Sequence, residues 1–435
     1  FLKPKNLKEK KIKKMYTEYT YPKYNNKIMD KTAPIPSSSN PYLFLEQIQY
    51  YIYNGNNKNF DNYRVLDVGC GIGNELISMS YSLSNFKNVE LVGIDLSPSS
   101  LKIFKNRLPK YKINNIKLIE MSLFDLDPQI HGKFDLIICM GVLHHLEDPK
   151  LGLECIKRVL KDDGFMNIMV YGKYGRTGVY QMQDLMRKIN KNVNDFPDKI
   201  KNYKNIYKQL PNNNWFKLGE HLIEDHKISD EGIVDLLLHH QDRSYNVKEL
   251  YKWINSNGLN IIEFSPHNRY KYKHNIKNLN YPKNKIDKYS INELFFGDIK
   301  KHMFYVSKKK KTKAKIDNLD NKLFLVLLVK ENLNKILKIY KKKNVKNINI
   351  NSTLNYKISK ELIWHYDEKV VNVNIDMNDI IYTILNNIDN KKSIREIFDI
   401  VRKDLKIDLN NNKLLEIFKP IYEKFELYDL ILLSK

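Results

Sequence analysis

Cysteines and long apolar runs are scarce in this sequence, and their scarcity excludes several protein classes. The 435 residues include three cysteines, Cys70, Cys139 and Cys155, whose spacing fits neither a disulfide framework nor a metal motif. No stretch approaches the roughly 18 consecutive apolar residues of a membrane-spanning helix. The basic opening stretch also lacks the apolar run of a secretory signal. We therefore expect a cytoplasmic protein without a membrane span or a metal site.

Alanine and arginine are scarce as well, and their scarcity argues against interpreting the high positive charge as a sign of nucleic-acid binding. The net charge is +24, yet only nine of the 74 basic residues are arginine, and the chain has two alanines. Proteins that recognise nucleic acids favour arginine for bidentate contacts. Abundant Lys, Asn, Ile and Tyr with almost no Ala is typical of compositional drift in an AT-rich genome. Nucleic-acid binding is therefore the less favoured interpretation.

The order of apolar and amphipathic stretches predicts an α/β fold. Between residue 41 and about 171, helix-like segments alternate with five apolar runs, at Val65–Val68, Leu91–Ile94, Ile116–Ile119, Leu136–Met140 and Phe165–Tyr171. This alternation is typical of a doubly wound parallel sheet with helices on both faces. Strand-like patterns return at 259–264 and 302–307.

Changes in composition predict four segments. They are a basic, tyrosine-rich arm (1–40), an α/β domain (41–307) with a helical cap insertion at about 172–258, a Lys-rich linker (308–318) and a smaller helix-rich module (319–435). In the last segment, two helices joined by a polar turn precede an apolar stretch at 427–434 that reads as a strand. Helices followed by a short strand favour a winged-helix-like module.

A glycine-rich turn follows the first predicted strand and constrains the ligand. The turn at 69–73 is spaced G-x-G-x-G, and Asn74 stands where a dinucleotide fingerprint has its third glycine. This departure disfavours nicotinamide and flavin, and favours a ligand without a pyrophosphate lying over the turn. Asp67 at the strand end suits an ammonium group. Asp95, after the second strand, suits two ribose hydroxyls because a carboxylate accepts both hydrogen bonds.

The stretch 64–171 resembles class I S-adenosylmethionine-dependent methyltransferases of the type 11/12-like branch. "VLDVGCGIGNE" is similar to their first motif, "VGIDLSPSSL" to the acidic second-strand motif and "FDLIICMGVLHHLEDP" to the fourth-strand motif. The resemblance covers about a quarter of the chain closely and implies a Rossmann-like sheet, S-adenosyl-L-methionine as cofactor and methyl transfer as the reaction. The cofactor contacts that it implies are Asp67, Gly69, Cys70, Gly71, Gly73, Asp95, Leu96, Ser122, Leu123, Met140 and Gly141. Position 122 often carries Asp in this family, so the contact of Ser122 with adenine is weaker.

Residues that act on the methyl acceptor are harder to derive, because in-line transfer depends mostly on positioning, with a base when the acceptor carries a proton. One candidate pair is His144 and His145, after the fourth strand; alternatively, His145 caps the next helix and His144 is structural. The second group lies in the predicted cap, in "HHQDRSY", where we favour an active-site lid over a structural Asp242–Arg243 turn. Its members are His239, His240, Asp242, Arg243 and Tyr245.

Two further features are candidates for substrate contacts. The N-terminal tyrosines predict a lid over the cofactor; they are Tyr16, Tyr19, Tyr21 and Tyr24. Arg176 follows the fifth strand, where it either binds an acidic acceptor or forms a salt bridge to the core.

The overall layout resembles bacterial methyltransferases that carry a regulatory region after the Rossmann core, some of which modify lysines on proteins. We therefore expect a protein or peptide acceptor, with residues 361–368 as a docking groove. The alternatives are a metabolite acceptor with a C-terminal module that packs or forms a homodimer, an RNA acceptor, and a non-catalytic cofactor-binding protein. RNA is less favoured, since the sequence has no aromatic-basic RNA signature and no N-P-P-[YF] tetrapeptide after the fourth strand.

Overall fold

The computed structural model describes residues 7–23, 41–272, 281–325 and 371–435, with short segments between 333 and 365. The chain forms two compact units. Unit 1 contains residues 1–38, 60–265 and 269–309, and unit 2 contains residues 39–59, 266–268 and 310–435. In the described part of the chain, no helix has the length and apolar character needed to cross a membrane.

Unit 1 is built on an eight-stranded sheet. Its strands are β1 (Arg64–Val68), β2 (Glu90–Asp95), β3 (Ile116–Glu120), β4 (Phe134–Met140), β5 (Leu160–Gly172), β6 (Ser244–Tyr245), β7 (Asn260–Phe264) and β8 (Lys301–Ser307). The strand order is β3-β2-β1-β4-β5-β8-β7, with β6 pairing with the end of β5. Strands β1 to β5 run parallel, while β8 is antiparallel to both β5 and β7. The predicted doubly wound α/β fold is confirmed.

The central strands are apolar because helices cover both faces of the sheet. Every apolar run expected to be a strand lies within one of these strands. The chain order reverses between β1 and β4, which are neighbours in the sheet. Such a reversal opens a crevice at the carboxyl ends of the strands, where open α/β sheets bind ligands.

Sixteen helices are assigned within the described residues, in chain order. They are α1 (Leu7–Glu18), α2 (Pro41–Tyr51), α3 (Asn74–Ser82), α4 (Pro98–Arg107), α5 (Pro128–His131), α6 (Pro149–Arg158), α7 (Thr177–Ile189), α8 (Phe196–Gln209), α9 (Trp215–Leu218), α10 (Asp225–Ile228), α11 (Asp230–Leu237), α12 (Val247–Ser256), α13 (Lys285–Phe296), α14 (Asp379–Asn386), α15 (Ile394–Leu405) and α16 (Asn411–Glu426). Short 3-10 turns lie at Leu108–Tyr111, Leu123–Asp125, Leu143–His145, Tyr174–Arg176 and Glu220–Leu222.

A helical layer interrupts the sheet after β5. Helices α7, α8 and α11 share a core of buried apolar side chains with α1, which contributes the fully buried Met15. Helix α12 belongs elsewhere, because Val247, Leu250 and Ile254 pack in the core of the sheet. The predicted insertion at about 172–258 is therefore too long at its carboxyl end, and the helical layer ends before β6.

Unit 2 pairs strand β9 (Lys322–Leu325) with the terminal strand β14 (Ile431–Ser434), which confirms the expected strand at the end of the chain. Helix α2 also lies in this unit, where Gln47 donates a hydrogen bond to Asp429 and the hydroxyls of Tyr50 and Tyr422 lie 2.9 Å apart. Residues 41–59, which the sequence analysis assigned to the α/β domain, thus fold with unit 2.

Two antiparallel strand pairs complete the described part of unit 2. They are β10 (Asn347–Ser352) with β13 (Val371–Asp376), and β11 (Asn355–Lys357) with β12 (Ile363–His365). The predicted groove at 361–368 lies outside the described residues except for β12. The winged-helix-like arrangement of helices α14 to α16 stays a prediction.

Candidate functional site

A cavity of about 510 Å³ lies in unit 1 at the carboxyl ends of β1, β2 and β4. All eleven residues predicted to contact the cofactor line this one cavity. They come from four separate stretches of the chain, which the parallel sheet brings to the same edge. The position of the cavity is the one that the strand order predicts for a ligand site.

The glycine turn after β1 forms the floor of the cavity. The φ angles of Gly69, Gly71 and Gly73 are +71°, +52° and +90°. Residues that carry a side chain rarely adopt such positive values. A Cβ atom would lie 2.4 Å from Val142 at the first glycine and 2.2 Å from Phe104 at the third, but it would meet no atom within 4 Å at Gly71. The middle of the turn therefore faces open space in which a ligand can approach the backbone.

Asp67 is a buried carboxylate with an unsatisfied oxygen. The residue is 1% exposed and lines the cavity, and its Oδ2 atom has no hydrogen-bond partner. Burial raises the pKa of Asp67 well above its usual value, and the nearby charges of Glu75 and Asp95 raise it further. Leaving such a group without a partner costs about 1–3 kcal/mol. A cationic ligand group beside Oδ2 removes this cost, so the residue fits an ammonium.

Asp95 is held by two backbone amides. The N–H groups of Gly71 and Ser97 each donate to one of its carboxylate oxygens, both at 2.8 Å. Burial raises the pKa of Asp95, while these hydrogen bonds act in the opposite direction. Each oxygen keeps a further lone pair. The fixed carboxylate can therefore accept bonds from two adjacent hydroxyls.

The adenine end predicted around Ser122 is an apolar slot. Leu96, Met121, Leu123 and Phe124 line it. The Oγ atom of Ser122 accepts a hydrogen bond from the Phe124 amide at 3.2 Å and so caps its own 3-10 turn. The hydroxyl keeps a proton to donate, which differs from the acceptor-only carboxylate common at this position.

Helix α1 and the residues after it wall the cavity. Tyr16 and Tyr21 line it, and their hydroxyls donate to Asp235 (at 2.7 Å) and Asp225 respectively. Tyr19 turns away and packs edge-on against Phe196, with ring centres 5.2 Å apart. Tyr24 lies outside the described residues.

The amino-terminal helix is also tied to the sheet. Lys13 bridges to Glu120 at 2.6 Å, and the Ser97 hydroxyl donates to the carbonyl of Tyr16 at 3.1 Å. The arm predicted as a lid is thus folded onto the cavity over its described part.

The two adjacent histidines differ in their surroundings. His145 lines the cavity, and its ring stacks on that of His239 with centres 3.8 Å apart. His144 lies behind it, fully buried, and neither of its ring nitrogens has a partner. Burial lowers the pKa of His144 well below its usual value, so its ring is neutral. His145 does not cap the next helix, since the side chain of Asp148 caps α6.

The segment 239–245 is packed into the domain and does not form an open lid. The fully buried Asp242 carboxylate accepts from Gln183 at 2.9 Å and lies 3.5 Å from the Arg176 guanidinium. Arg176 thus forms the core salt bridge that was one of the two expectations for it. Neither residue of this ion pair lines the cavity.

The other candidates in this segment also face away from the cavity. Arg243 donates to the Glu147 carbonyl at 2.7 Å, and Tyr245 stacks on Trp253 with ring centres 5.1 Å apart. His240 is exposed. Among the described lining residues, His145 is therefore the single member of the predicted catalytic set.

Donor atoms of His144, His145 and Asp242 lie within 4.8 Å of one another. Three such atoms could hold a metal ion, but the positively charged guanidinium of Arg176 already lies beside the Asp242 carboxylate. We interpret the cluster as the Arg176–Asp242 ion pair next to two packed imidazole rings.

Several lining residues were not predicted as site residues, and two of them carry polar groups at the acceptor side of our proposal. Tyr171 at the end of β5 and Asp235 on α11 both face the cavity. Asp235 carried a signal, because it is an acidic residue inside the apolar stretch "IVDLLL". Tyr171 carried none, since tyrosine is common throughout the chain.

Comparisons with known proteins agree with this geometry. Residues 59–258 match the model of a methyltransferase domain family. An uncharacterised protein of Synechococcus sp. is 34% identical over 212 residues, which is 48% of this chain and 49% of that protein. The chain thus spans about half the length of this curated relative. A ubiquinone biosynthesis O-methyltransferase of Paracidovorax citrulli is 32% identical over 103 residues, 24% of this chain and 41% of that protein.

Among solved structures, PKMT2 from Rickettsia typhi superposes with a TM-score of 0.61 at 18% identity, covering 92% of this chain and 75% of that one. Its complex with AdoHcy gives a TM-score of 0.60. The family match, the strand order and the cavity over the glycine turn lead to one conclusion. Residues 59–258 match a methyltransferase domain family, and they lie in a unit with the class I, Rossmann-like fold.

Proposed function

We propose that this protein transfers a methyl group from S-adenosylmethionine to a side chain of a protein or peptide. The observation that carries the proposal is the unsatisfied carboxylate oxygen of Asp67 beside the open glycine turn. Nothing in the described chain satisfies that oxygen, and the ammonium group of S-adenosylmethionine would. When bound, this cofactor supplies an electrophilic methyl group and is left as a neutral thioether.

The lining residues divide into a cofactor end and an acceptor end. Asp67 would hold the methionine ammonium, Asp95 would hold the ribose hydroxyls, and Leu96 and Leu123 would contact the adenine. Met140 and Gly141 would contact the methionine arm. Beyond them the acceptor end is lined by Tyr16, Tyr21, Tyr171, His145 and Asp235.

The charge of the lining disfavours a phosphate-rich acceptor. Seven carboxylates line the cavity against one lysine, Lys13; they are Glu9, Asp67, Glu75, Asp95, Glu147, Asp148 and Asp235. Phosphates near such a wall are repelled, so the basic composition of the chain does not extend to this site. A neutral or basic acceptor is favoured over a nucleic acid.

Two observations support a protein acceptor over a metabolite. All the lining residues that the structure describes belong to unit 1, and unit 2 is a second folded body. The likeness in fold to PKMT2 extends over 92% of the chain, whereas the match to the ubiquinone biosynthesis enzyme covers 24%. We assign to unit 2 the role of docking the acceptor protein.

The test is transfer of labelled methyl from S-adenosylmethionine into a host lysate, followed by separate protease and nuclease digestion. We expect label in large material that protease releases and nuclease does not. Label that stays in small soluble molecules would establish a metabolite acceptor. Label released by nuclease would establish a nucleic acid, and either result overturns the proposal.

A further inference from the structure

We infer that the main chain of Gln241 fixes His145 in the tautomer whose Nε2 lone pair faces the cavity, where it accepts the proton of the methyl acceptor. The proton transfer to His145 rests on the proposed function, whereas the tautomer of His145 follows from its hydrogen bonds alone.

The hydrogen-bond partners decide the tautomers of two histidines. The Nδ1 atom of His145 lies 2.9 Å from the carbonyl oxygen of Gln241. A carbonyl can only accept, so Nδ1 carries the proton and Nε2 carries the lone pair. The amide of Gln241 can only donate, and it donates to Nδ1 of His239 at 3.1 Å. His239 is therefore the opposite tautomer, with its proton on Nε2.

The ring of His145 is held in place on several sides. His239 stacks on it, and His144 meets it edge-on with ring centres 4.1 Å apart. The side chain of Gln241 also donates to the carbonyl of Leu146 at 2.6 Å, which ties the two segments together one residue beyond the histidine. Gln241 is thus a positioning residue, because it acts through His145.

Of the three histidines, His145 is the one that lines the cavity. Both nitrogens of His144 and the Nε2 of His239 are enclosed without a hydrogen-bond partner. Burial lowers the pKa of His239 well below its usual value, as it does for His144. These two rings stay neutral and leave the proton transfer to His145.

Proton transfer to His145 accompanies methyl transfer. The heteroatom–hydrogen bond of the acceptor breaks, and its electron pair stays on the heteroatom for bonding to the methyl carbon, whose bond to sulfur breaks with the pair left on sulfur. The proton forms an N–H bond at Nε2 of His145. The resulting imidazolium lies in the wall of the same cavity as Asp235, with which it interacts electrostatically. Tyr16 holds that carboxylate through its 2.7 Å hydrogen bond.

The tautomer is measured by nitrogen NMR on the full chain, labelled with ¹⁵N at histidine and saturated with AdoHcy. Signals are assigned by comparison with the variants His145→Asn and His239→Asn. We expect a proton on Nδ1 and none on Nε2 for His145, and the reverse for His239. A proton on Nε2 of His145, or an equal mixture of tautomers, overturns the inference whatever the acceptor is.

The proton transfer is tested with His145→Asn. The asparagine amide can still donate to the Gln241 carbonyl, but it offers no basic nitrogen. We expect methyl incorporation into lysate to fall by about 100- to 10,000-fold, with AdoHcy affinity within twofold of the parent. The matched control is His221→Asn, because His221 also places Nδ1 by a carbonyl, that of Leu218 at 3.1 Å, but is exposed and outside the cavity.

Failure of the inference about His145 can be distinguished from failure of the proposed function. If His145→Asn keeps the parent rate in whichever fraction takes up the label, His145 is not the proton acceptor, while methyl transfer itself stands. If the parent protein incorporates no label in any fraction, the proposed function fails and the NMR result still decides the tautomer.

Discussion

The guanidinium carbon of Arg176 lies 3.5 Å from the centre of the Tyr171 ring. Tyr171 lines the cavity and Arg176 does not, so the cation supports the wall from behind. Its charge is balanced by the buried Asp242. The wall of the cavity at Tyr171 is therefore supported by an ion pair whose two residues do not line the cavity.

Removing this cation should destabilise the protein strongly. Arg176→Ala leaves Asp242 buried without its counterion, and breaking a buried ion pair in this way costs about 3–5 kcal/mol. Urea denaturation monitored by circular dichroism measures the change. The matched control is Arg243→Ala, which removes an exposed arginine next to Asp242 in the sequence and should cost about 0.5 kcal/mol or less. Equal losses in both variants would contradict the role given to Arg176.

Neutralising Asp67 should change stability and cofactor affinity in opposite directions. Asp67→Asn removes a buried, unsatisfied charge, so the ligand-free protein should be at least as stable as the parent. Binding of AdoHcy loses a charge-assisted hydrogen bond of about 1.5–3 kcal/mol, a roughly 10- to 100-fold weaker affinity. Calorimetry with Asp184→Asn as an exposed control measures both. Unchanged affinity would remove Asp67 from the site.

The same carboxylate predicts a pH dependence. Burial, Glu75 and Asp95 raise the pKa of Asp67 in the folded protein. The folded state thus holds this proton more tightly than the unfolded chain, and the ligand-free protein should lose stability as pH rises from the ordinary Asp pKa through the raised one. AdoHcy needs the charged form, so its affinity should rise over the same window. The Asp67→Asn variant should lack both slopes, which titration calorimetry at several pH values would reveal.

The open space over the glycine turn should not tolerate a side chain. Gly71→Val places a branched side chain at a position where a Cβ atom would meet nothing within 4 Å, and we expect AdoHcy binding to be abolished. Gly258→Val is the matched control, since Gly258 also has a positive φ of +66° but lies outside the cavity. Both variants carry backbone strain of about 1–2 kcal/mol. Binding retained in Gly71→Val would place the cofactor elsewhere.

Substitutions of two tyrosines in the amino-terminal arm should differ in their effects on methyl incorporation. Tyr16→Phe leaves Asp235 without its hydroxyl donor, so we expect methyl incorporation to drop by about tenfold, in line with one lost hydrogen bond to a charged group. Tyr19→Phe keeps the ring contact with Phe196 and should change the rate less than twofold. Parallel lysate assays compare the two. Similar losses would show that the arm acts only by packing.

Local patterns predicted the sheet, because parallel strands buried on both faces are continuous apolar runs. The residues from Asp67 to Gly141 were expected at the cofactor mainly from the family resemblance, and the structure shows that they line one cavity. The pairing of Arg176 with Asp242 was not readable, since it joins residues 66 apart that no motif relates. The membership of residues 41–59 in unit 2 was hidden for a similar reason, because an amphipathic helix does not specify which core it covers.

The helical layer separates β5 from its sheet neighbour β8 along the chain, and this separation affects folding while the chain is being synthesised. Residues 165–171 of β5 find their antiparallel partner in β8, which begins at Lys301. A nascent chain that ends before that point leaves this edge of β5 without its neighbour, and an open apolar strand edge invites pairing with other chains. Truncations made between β5 and β8 should therefore aggregate rather than yield a smaller soluble domain, and the methyltransferase domain completes its sheet only when the chain has been made past residue 307.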